Sequence, residues 1–338
     1  MRMLLSFLLI FIFSIATPAF AQTASSAQPA PIEYSVTPQN PGPNQSIEIT
    51  ATGVGSFLGN ASITWSQGNK VLSSGTGDSS FTFTTGALGS ESIITVTINS
   101  PSEGTFTHTF TISPSLTNLV WEANTSVPLF YKGLPLYSPG STVTVVAFPE
   151  IVVNKFFISS KALSFQWSLH GTLVPEQSGL GKTTFAFQGD QLQSSEEVSV
   201  VEYYNGTQVG EGDITIPATS PQLLFYIRDP LRGELFDTGL VNSTPFQGTE
   251  MTLQAEPYYF ATDAQGNNNL TYQWTVNGQD VSGPDSNKGI LTLRQNGNNS
   301  SGAATVGLTI QNTNSDQILQ SANTVLQLLF GQQSSLSF

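Results

Sequence analysis

The chain has 338 residues, of which only 10% are charged, and its formal net charge at pH 7 is −13. An acidic surface repels phosphate backbones, so nucleic acid is not expected among the partners. Cysteine is absent, which excludes disulfides, thiolate metal sites and cysteine nucleophiles. With 30 glycines and 19 prolines among many β-branched residues, the composition is typical of an all-β chain with many turns.

The first 21 residues have the pattern of an export signal. Arg2 supplies a positive charge, Leu4 to Ala16 form an apolar core, and Ala19-Phe20-Ala21 matches the small-x-small cleavage pattern. We therefore expect a signal peptide over residues 1–21 and an extracytoplasmic protein (periplasm, cell surface or secreted), with retention as an N-terminal anchor as the alternative. The mature chain contains no second apolar stretch long enough for a transmembrane span.

A strand that ends in tryptophan occurs three times, and the other repeated elements of the chain are placed relative to it. The copies end at Trp65, Trp167 and Trp274, which stand 102 and 107 residues apart. Each is preceded by a strand of alternating large aliphatic residues that ends in an alanine: Ala51, Ala147 and Ala255. Alternate residues of a strand face the same side, so these tryptophans and alanines are predicted to be structural core residues.

The same elements follow each tryptophan in the same order. A turn with glycine comes first: Gly68, Gly171 and Gly278. A strand of alternating apolar residues begins 16, 18 and 17 residues past the tryptophan: Phe81, Phe185 and Leu291. A further apolar strand then closes each set. This agreement in order and spacing indicates an internal repeat of about 100 residues, which is the size of one β-sandwich domain.

Serine–proline pairs mark the joints between the repeats: Ser113-Pro114 and Ser220-Pro221. Proline stiffens the backbone and the joints are short, so the repeats are expected to form a semi-rigid rod. The second and third repeats each insert a longer segment after their first strand: 124–137 and 228–245. The predicted organisation is a disordered lead-in, three sandwich domains and a polar tail: 22–31, 32–113, 114–219, 220–331 and 332–338.

The tryptophan strand, its glycine turn and paired strands such as Ile94 to Ile98 with Thr105 to Ile112 together resemble tandem immunoglobulin-like or PKD-like domains of exported bacterial surface proteins. In PKD-like domains the turn after the tryptophan is richer in aspartate and glycine than Ser66-Gln67-Gly68 is here. The resemblance implies three tandem all-β sandwiches after a cleaved signal peptide. It also implies adhesion, spacing or protein contact, and seldom catalysis by the module itself.

No motif indicates a catalytic or cofactor site. Two histidines, His108 and His170, are too few for a triad or a histidine zinc site in each repeat. The segment Gly179 to Thr184 ends like a phosphate-binding loop, but Glu176 replaces the first glycine and a strand follows where a helix is required. We therefore predict no enzymatic activity and no cofactor.

Acidic side chains provide one metal candidate. Asp263 lies in the oxygen-rich loop 261–269, which lacks the spacing of known calcium loops, and the alternative is a solvated loop. No metal site is predicted, and Asp263 is kept as a calcium candidate. Glu196 and Glu197 are neighbours in a strand, so they point to opposite faces and do not form a glycosidase pair.

The leading functional hypothesis is a non-enzymatic structural or adhesive rod whose partners are envelope or surface proteins. The alternative is an accessory carbohydrate-binding protein that stacks glycans on exposed aromatics such as Tyr258, Tyr259 and Phe260. The matching segment of the second repeat is Glu150-Ile151-Val152, which favours structural packing at this position.

Overall fold

The computed structural model describes residues 32–53, 56–295, 302–314 and 320–331. The predicted signal peptide, lead-in and tail lie outside the described residues. Within the described ranges the chain is all-β, with 26 strands and no α-helix. Four short 3-10 helices lie at Phe57–Asn60, Ser160–Ala162, Pro175–Gln177 and Ser286–Lys288. In this part of the chain there is no helix that could span a membrane.

The first sandwich packs two antiparallel sheets face to face. Its strands are β1 Ile32–Thr37, β2 Ser46–Gly53, β3 Ser62–Gln67, β4 Lys70–Thr76, β5 Ser80–Thr84, β6 Ser92–Ser100 and β7 Gly104–Ile112. The strand orders are β1-β2-β5 and β4-β3-β6-β7. Ile47, Ile49 and Ala51 of β2 are buried while Glu48 is exposed, which is the alternation that the strand pleat imposes.

The second sandwich repeats this plan and adds a small hairpin. Its strands are β8 Leu116–Ala123, β9 Thr142–Glu150, β10 Val152–Val153, β11 Phe156–Phe157, β12 Ser164–Leu169, β13 Thr172–Leu173, β14 Gly179–Leu180, β15 Thr184–Gln188, β16 Ser195–Tyr204 and β17 Thr207–Pro217. One sheet has the order β15-β9-β8 and the other β13-β12-β16-β17, with β14 also paired to β12. Strands β10 and β11 pair with each other.

The third sandwich has larger sheets because its insertion adds strands. Its strands are β18 Gln222–Asp229, β19 Gly233–Leu240, β20 Ser243–Pro245, β21 Glu250–Tyr258, β22 Leu270–Val276, β23 Gln279–Val281, β24 Ile290–Arg294, β25 Gly302–Asn312 and β26 Ser321–Phe330. The orders are β19-β18-β21-β24 and β20-β26-β25-β22-β23. All pairs are antiparallel except β20 with β26.

Each pair of sheets encloses its own hydrophobic cluster, so the chain folds as tandem immunoglobulin-like sandwiches. The buried residues of the clusters fall between 32 and 112, between 123 and 216, and between 223 and 328. The predicted all-β sandwich fold is confirmed. Since each cluster lies inside one predicted repeat, we propose 32–113, 114–219 and 220–331 as the domain limits.

Candidate functional site

The three repeated tryptophans occupy equivalent, fully packed positions. Trp65 pairs across the sheet with Val96, as Trp167 does with Val200 and Trp274 with Leu308. Each buried indole Nε1 donates a hydrogen bond of 2.8 to 3.0 Å to a backbone oxygen 12 to 15 residues later, on Asp78, Lys182 and Ser286 respectively. These tryptophans are therefore buried without an unpaired donor, which suits a structural role.

An aromatic ring stacks on each tryptophan, but it does not come from the same strand in all three sandwiches. Trp65 stacks on Phe81 with ring centroids 5.6 Å apart, and Trp167 stacks on Phe185 at 5.4 Å. In the third sandwich Leu291 takes the place of that phenylalanine, and Trp274 stacks on Phe225 of β18 at 5.5 Å. The core thus keeps an aromatic pair in each sandwich.

The repeated alanines are also buried and also make one shared contact. Ala51, Ala147 and Ala255 each donate a backbone hydrogen bond of 2.8 Å to the residue just before the next paired strand, on Ser79, Thr183 and Gly289 respectively. The bonds have the ordinary length of a β-ladder, so they show that the three alanines hold equivalent positions in their sheets.

The two histidines lie in different surroundings and are not near each other in the fold. The His108 ring is exposed and stacks on Tyr34, with ring centroids 4.3 Å apart. His170 sits in a turn, and its Nε2 lies 2.6 Å from Oε2 of Glu196. Glu197, the neighbour of Glu196, is exposed on the opposite face of β16, as predicted.

Glu196 is buried but has all the partners that a carboxylate needs. Its Oε1 accepts hydrogen bonds from the Tyr137 hydroxyl at 2.6 Å and from the Asp190 backbone N–H at 2.8 Å. Burial and the hydrogen bond to Glu196 raise the pKa of Tyr137, so the phenol stays protonated as the donor. This cluster ties residues 137, 170 and 190 together and acts as a structural cross-link of the second sandwich.

The two motif-like segments found in the sequence fold as ordinary loops and strands. Residues 179–184 span β14 and the start of β15, so no helix follows the glycines. Asp263 is exposed and its Oδ1 accepts backbone hydrogen bonds from Gln265 and Asn267 at 2.9 and 2.8 Å. These bonds, chiefly from Asn267, lower the pKa of Asp263. Among the described residues there is no group of three or more His, Asp and Glu side chains that could hold a metal ion.

The insertion at residues 124–137, called the strap below, joins the second sandwich to the third. Thr125 forms an antiparallel bridge with Ala261. Ser126 exchanges two backbone hydrogen bonds of 2.7 Å with the third sandwich, donating to Phe260 and accepting from Tyr259. Thr262 donates another, of 3.0 Å, to the Asn124 carbonyl. The strap thus pairs with the third sandwich as a short β-ladder.

Aromatic side chains of the strap pack on the third sandwich beside this ladder. Phe130 stacks on Phe236 with ring centroids 4.0 Å apart and meets Tyr226 edge-on at 5.6 Å. The Tyr259 hydroxyl donates to the Tyr131 hydroxyl at 3.0 Å. Burial and this hydrogen bond raise the pKa of Tyr259 to about 12, so the donor stays protonated at neutral pH.

A buried glutamine closes the other side of the same joint. Gln320 of the third sandwich donates from Nε2 to Ser138 Oγ at 2.9 Å and to the Pro139 carbonyl at 2.7 Å. Its Oε1 accepts from the Ala261 backbone N–H at 2.8 Å. The side-chain amide of Gln320 is therefore satisfied from both sandwiches, and these bonds favour one relative position of the two.

The aromatics considered for sugar stacking belong to this joint, so the alternative interpretation that they are exposed is wrong and the favoured one, structural packing, agrees with their burial. Tyr258, Tyr259 and Phe260 are buried, with 7%, 7% and 0% of their surface exposed. The strap covers them, so they have no free face for a glycan. Tyr259 has a backbone φ of 63°, a region that bulky residues rarely adopt, and Ser126 holds its N–H in this conformation.

A groove of about 540 Å³ lies between the first and second sandwiches. Side-chain amides from both sandwiches line it: Gln39, Asn40, Asn154 and Gln208. The stacked ring of His108 and the carboxylate of Glu91 also line the groove. Nδ2 of Asn40 is buried and has no hydrogen-bond partner among the described residues. The groove therefore offers polar groups and one flat ring in a space the size of a small-ligand site.

Glu202 of β16 is a buried carboxyl group that interacts only weakly with the Thr117 hydroxyl. Neither of its oxygens nor Oγ1 of Thr117 has a hydrogen bond of standard geometry within the described part of the chain. Gly210 lies directly opposite on β17, and a Cβ there would be only 2.9 Å from Glu202 Oε2. Burial raises the pKa of Glu202 to about 7, the Thr117 hydroxyl and the Glu202 backbone offset part of this rise, and the charge of Glu211 adds a smaller one. No sequence signal marked this residue.

Comparison with known proteins finds no family model that matches the chain and no matching curated protein sequence. Among solved structures, similarity is found to the three N-terminal domains of the highly immunogenic outer capsid protein (Hoc) of bacteriophage RB49. The identity is 13%, the match covers 88% of this chain and 98% of that one, and the TM-score is 0.25.

Two further similar structures come from bacteria. The fibronectin(III)-like modules of Clostridium thermocellum CbhA share 11% identity over 55% of this chain and 94% of that one, with a TM-score of 0.26. The Bacteroides ovatus glucan-utilization protein SGBP-B, solved with a mixed-linkage heptasaccharide, shares 13% identity over 85% of this chain and 64% of that one, with a TM-score of 0.20.

Proposed function

We propose that this chain is a non-enzymatic, extracytoplasmic structural or adhesive protein. In this proposal it is a semi-rigid rod of β-sandwiches that mediates spacing or protein contact at the cell envelope, with envelope or surface proteins as partners. Loops at the ends of the sandwiches and the edges of their sheets are the surfaces through which such contacts form.

The joint between the second and third sandwiches is the observation that supports this proposal. A protein whose domains need only be connected does not require a β-ladder and an aromatic cluster between them. Here the strap adds backbone hydrogen bonds at Thr125 and Ser126 and an aromatic contact at Phe130. These contacts resist bending at the joint, which is the mechanical property that a spacer needs.

Small-angle scattering of residues 22–338 tests the proposal. We expect an elongated monomer with a longest dimension on the order of 100 Å, from three sandwiches in line with strands of up to about 10 residues. The double variant Phe130→Ala and Tyr131→Ala serves as the comparison, because it removes strap side chains and leaves the strand sets intact. A compact particle would contradict the rod and indicate sandwiches arranged around a shared cleft.

Glycan binding is the second candidate function, and the groove between the first and second sandwiches favours it. Amides and a flat ring are the groups that bind sugar hydroxyls and stack on sugar faces. The test is glycan-array binding of the mature chain, with Asn40→Ala and Gln208→Ala as groove variants and Gln166→Ala, an exposed side chain of β12, as the control. Binding that is lost only in the groove variants supports this function, and binding that all variants retain contradicts it.

A further inference from the structure

The hairpin of β10 and β11 carries the most exposed pair of adjacent aromatic side chains in the described part of the chain. Phe156 and Phe157 have 73% and 71% of their surface exposed. Both phenylalanines lie on β11, which pairs only with β10 within the described residues. The turn between β10 and β11 contains Asn154 and Lys155, both with positive φ. Neighbouring strand residues point to opposite faces, so both faces of the outer strand are open to solvent.

A third apolar side chain and three lysines lie around this hairpin. Leu180 is 70% exposed on β14, which pairs with the start of β12. A Cβ on Gly181 would lie 3.7 Å from the Lys161 Cα, so this strand and the segment after β11 are in contact. Lys182 follows directly, and Lys155 is in the hairpin turn. We call the set of Phe156, Phe157, Leu180, Lys155, Lys161 and Lys182 the phenylalanine tip.

The charge at the phenylalanine tip is opposite to that of the rest of the molecule. Residues 151–182 contain three lysines and one glutamate, a net charge of +2 without histidine, so the rest of the chain carries −15. Within the described residues, none of the three lysines has a carboxylate within ion-pair distance, whereas Arg228, Arg294 and Lys288 of the third sandwich are paired. Three of the five lysines and arginines that lack an ion pair among the described residues therefore belong to the phenylalanine tip, and the other two are Lys70 and Lys132.

We propose that the phenylalanine tip docks the protein on an anionic lipid surface, with the two phenylalanines inserted at the interface and the lysines against the headgroups. Strand β10 packs beside the groove, and the outer strand β11 exposes an apolar side chain on each face. Two such faces suit insertion into a fluid layer better than contact with one flat protein surface. Lysines at the edge of an apolar contact are the arrangement by which interfacial segments bind anionic membranes. The acidic remainder of the chain is repelled by the same surface, which orients the molecule with the tip toward it.

Vesicle cosedimentation of residues 22–338 tests this proposal. The probes are phosphatidylcholine vesicles with and without phosphatidylglycerol, at low and high salt. We expect binding to the anionic vesicles only, weaker at high salt because screening reduces the lysine contribution. Phe156→Ser with Phe157→Ser should weaken binding by about tenfold or more. Lys155→Gln and Lys161→Gln should each weaken it by about fivefold.

The controls separate docking from general loss of structure. Leu231→Ser removes an apolar side chain that is 96% exposed in the third sandwich, and Lys70→Gln removes a lysine of the first sandwich. Both should bind vesicles like the wild type, and all variants should keep the wild-type melting curve because the altered side chains are exposed. Failure of the wild type to bind anionic vesicles overturns the proposal. So does self-association that the phenylalanine variants abolish, because the tip would then bind a second copy of this chain.

Discussion

Replacing Glu202 by glutamine should change how the stability of the second sandwich depends on pH. The carboxyl group has a pKa of about 7 in the folded protein, against 4.5 for an unperturbed glutamate. The folded state therefore binds the proton more tightly, so this group's contribution is fully present below about pH 4.5 and is lost as pH rises through 7. At about 1.4 kcal/mol per pH unit, the loss between these limits is about 3 kcal/mol.

Glutamine cannot ionise, so its own burial cost is the same at every pH. The difference in unfolding free energy between Glu202→Gln and the wild type should therefore grow by about 3 kcal/mol in favour of the variant between pH 4.5 and 8. Hydrogen exchange of peptides from β12 and β16, measured against urea concentration, reports this free energy for the second sandwich alone. The control is Glu197→Gln, an exposed glutamate on the same strand, which should follow the wild type within about 0.5 kcal/mol. Parallel curves for Glu202→Gln and the wild type over this range would refute the reasoning.

Three further predictions follow from the cores, the strap and the acidic loops. Trp167→Ala should destabilise the second sandwich by about 3 to 5 kcal/mol and leave the core strands of the first protected, which hydrogen exchange can measure; a cooperative loss of all three sandwiches would contradict separate cores. Phe130→Ala should speed hydrogen exchange at Tyr259 to Thr262 and leave β22 unchanged, because only the joint loses its contact; equal exchange in both proteins would show that the strap does not hold the joint. Chelator and added Ca²⁺ should leave the melting temperature unchanged, and a rise of several degrees with Ca²⁺ would make the Asp263 loop a metal site.

The sandwich fold was predictable because apolar and polar residues alternate within short segments of the sequence. Ile47, Ile49 and Ala51 face one side for the same reason that Val143, Val145 and Ala147 do, and a two-residue period needs no long-range information. The turns after the tryptophans were predictable from their glycines, because tight turns need positive φ: Gly171 and Gly278 have φ values of 74° and 77°.

The contacts between sandwiches were not predictable from such patterns. Tyr258, Tyr259 and Phe260 form the same aromatic run whether a sugar or a strap covers them, and the strap lies more than 120 residues away in the chain. The sequence did show the insertion at 124–137. Its aromatic residues Phe130 and Tyr131 indicated that it packs against another part of the protein, but not which part. The buried hydrogen bond of Glu196 could not be predicted either, because its partner Tyr137 is 59 residues away in the chain.

The two joints differ in a way that the serine–proline pairs did not show. Across the first joint, the described residues form one backbone hydrogen bond, from Ser115 N–H to the Pro41 carbonyl at 2.9 Å, and the groove lies beside it. The second joint has the strap, its ladder and Gln320. Similar short linkers therefore connect one lightly held pair of sandwiches and one tightly held pair.

Distance measurements across both joints test the rod most directly. The chain has no cysteine, so spin labels can be placed at will. Exposed Lys70, Glu197 and Gln279 give one label site in each sandwich. Double electron–electron resonance should give a narrow distance distribution for the pair 197 and 279, a broader one for 70 and 197, and a broadened 197–279 distribution after Phe130→Ala. A 197–279 distribution as broad as that of 70 and 197 in the wild type would contradict a stiff joint and the spacer built on it.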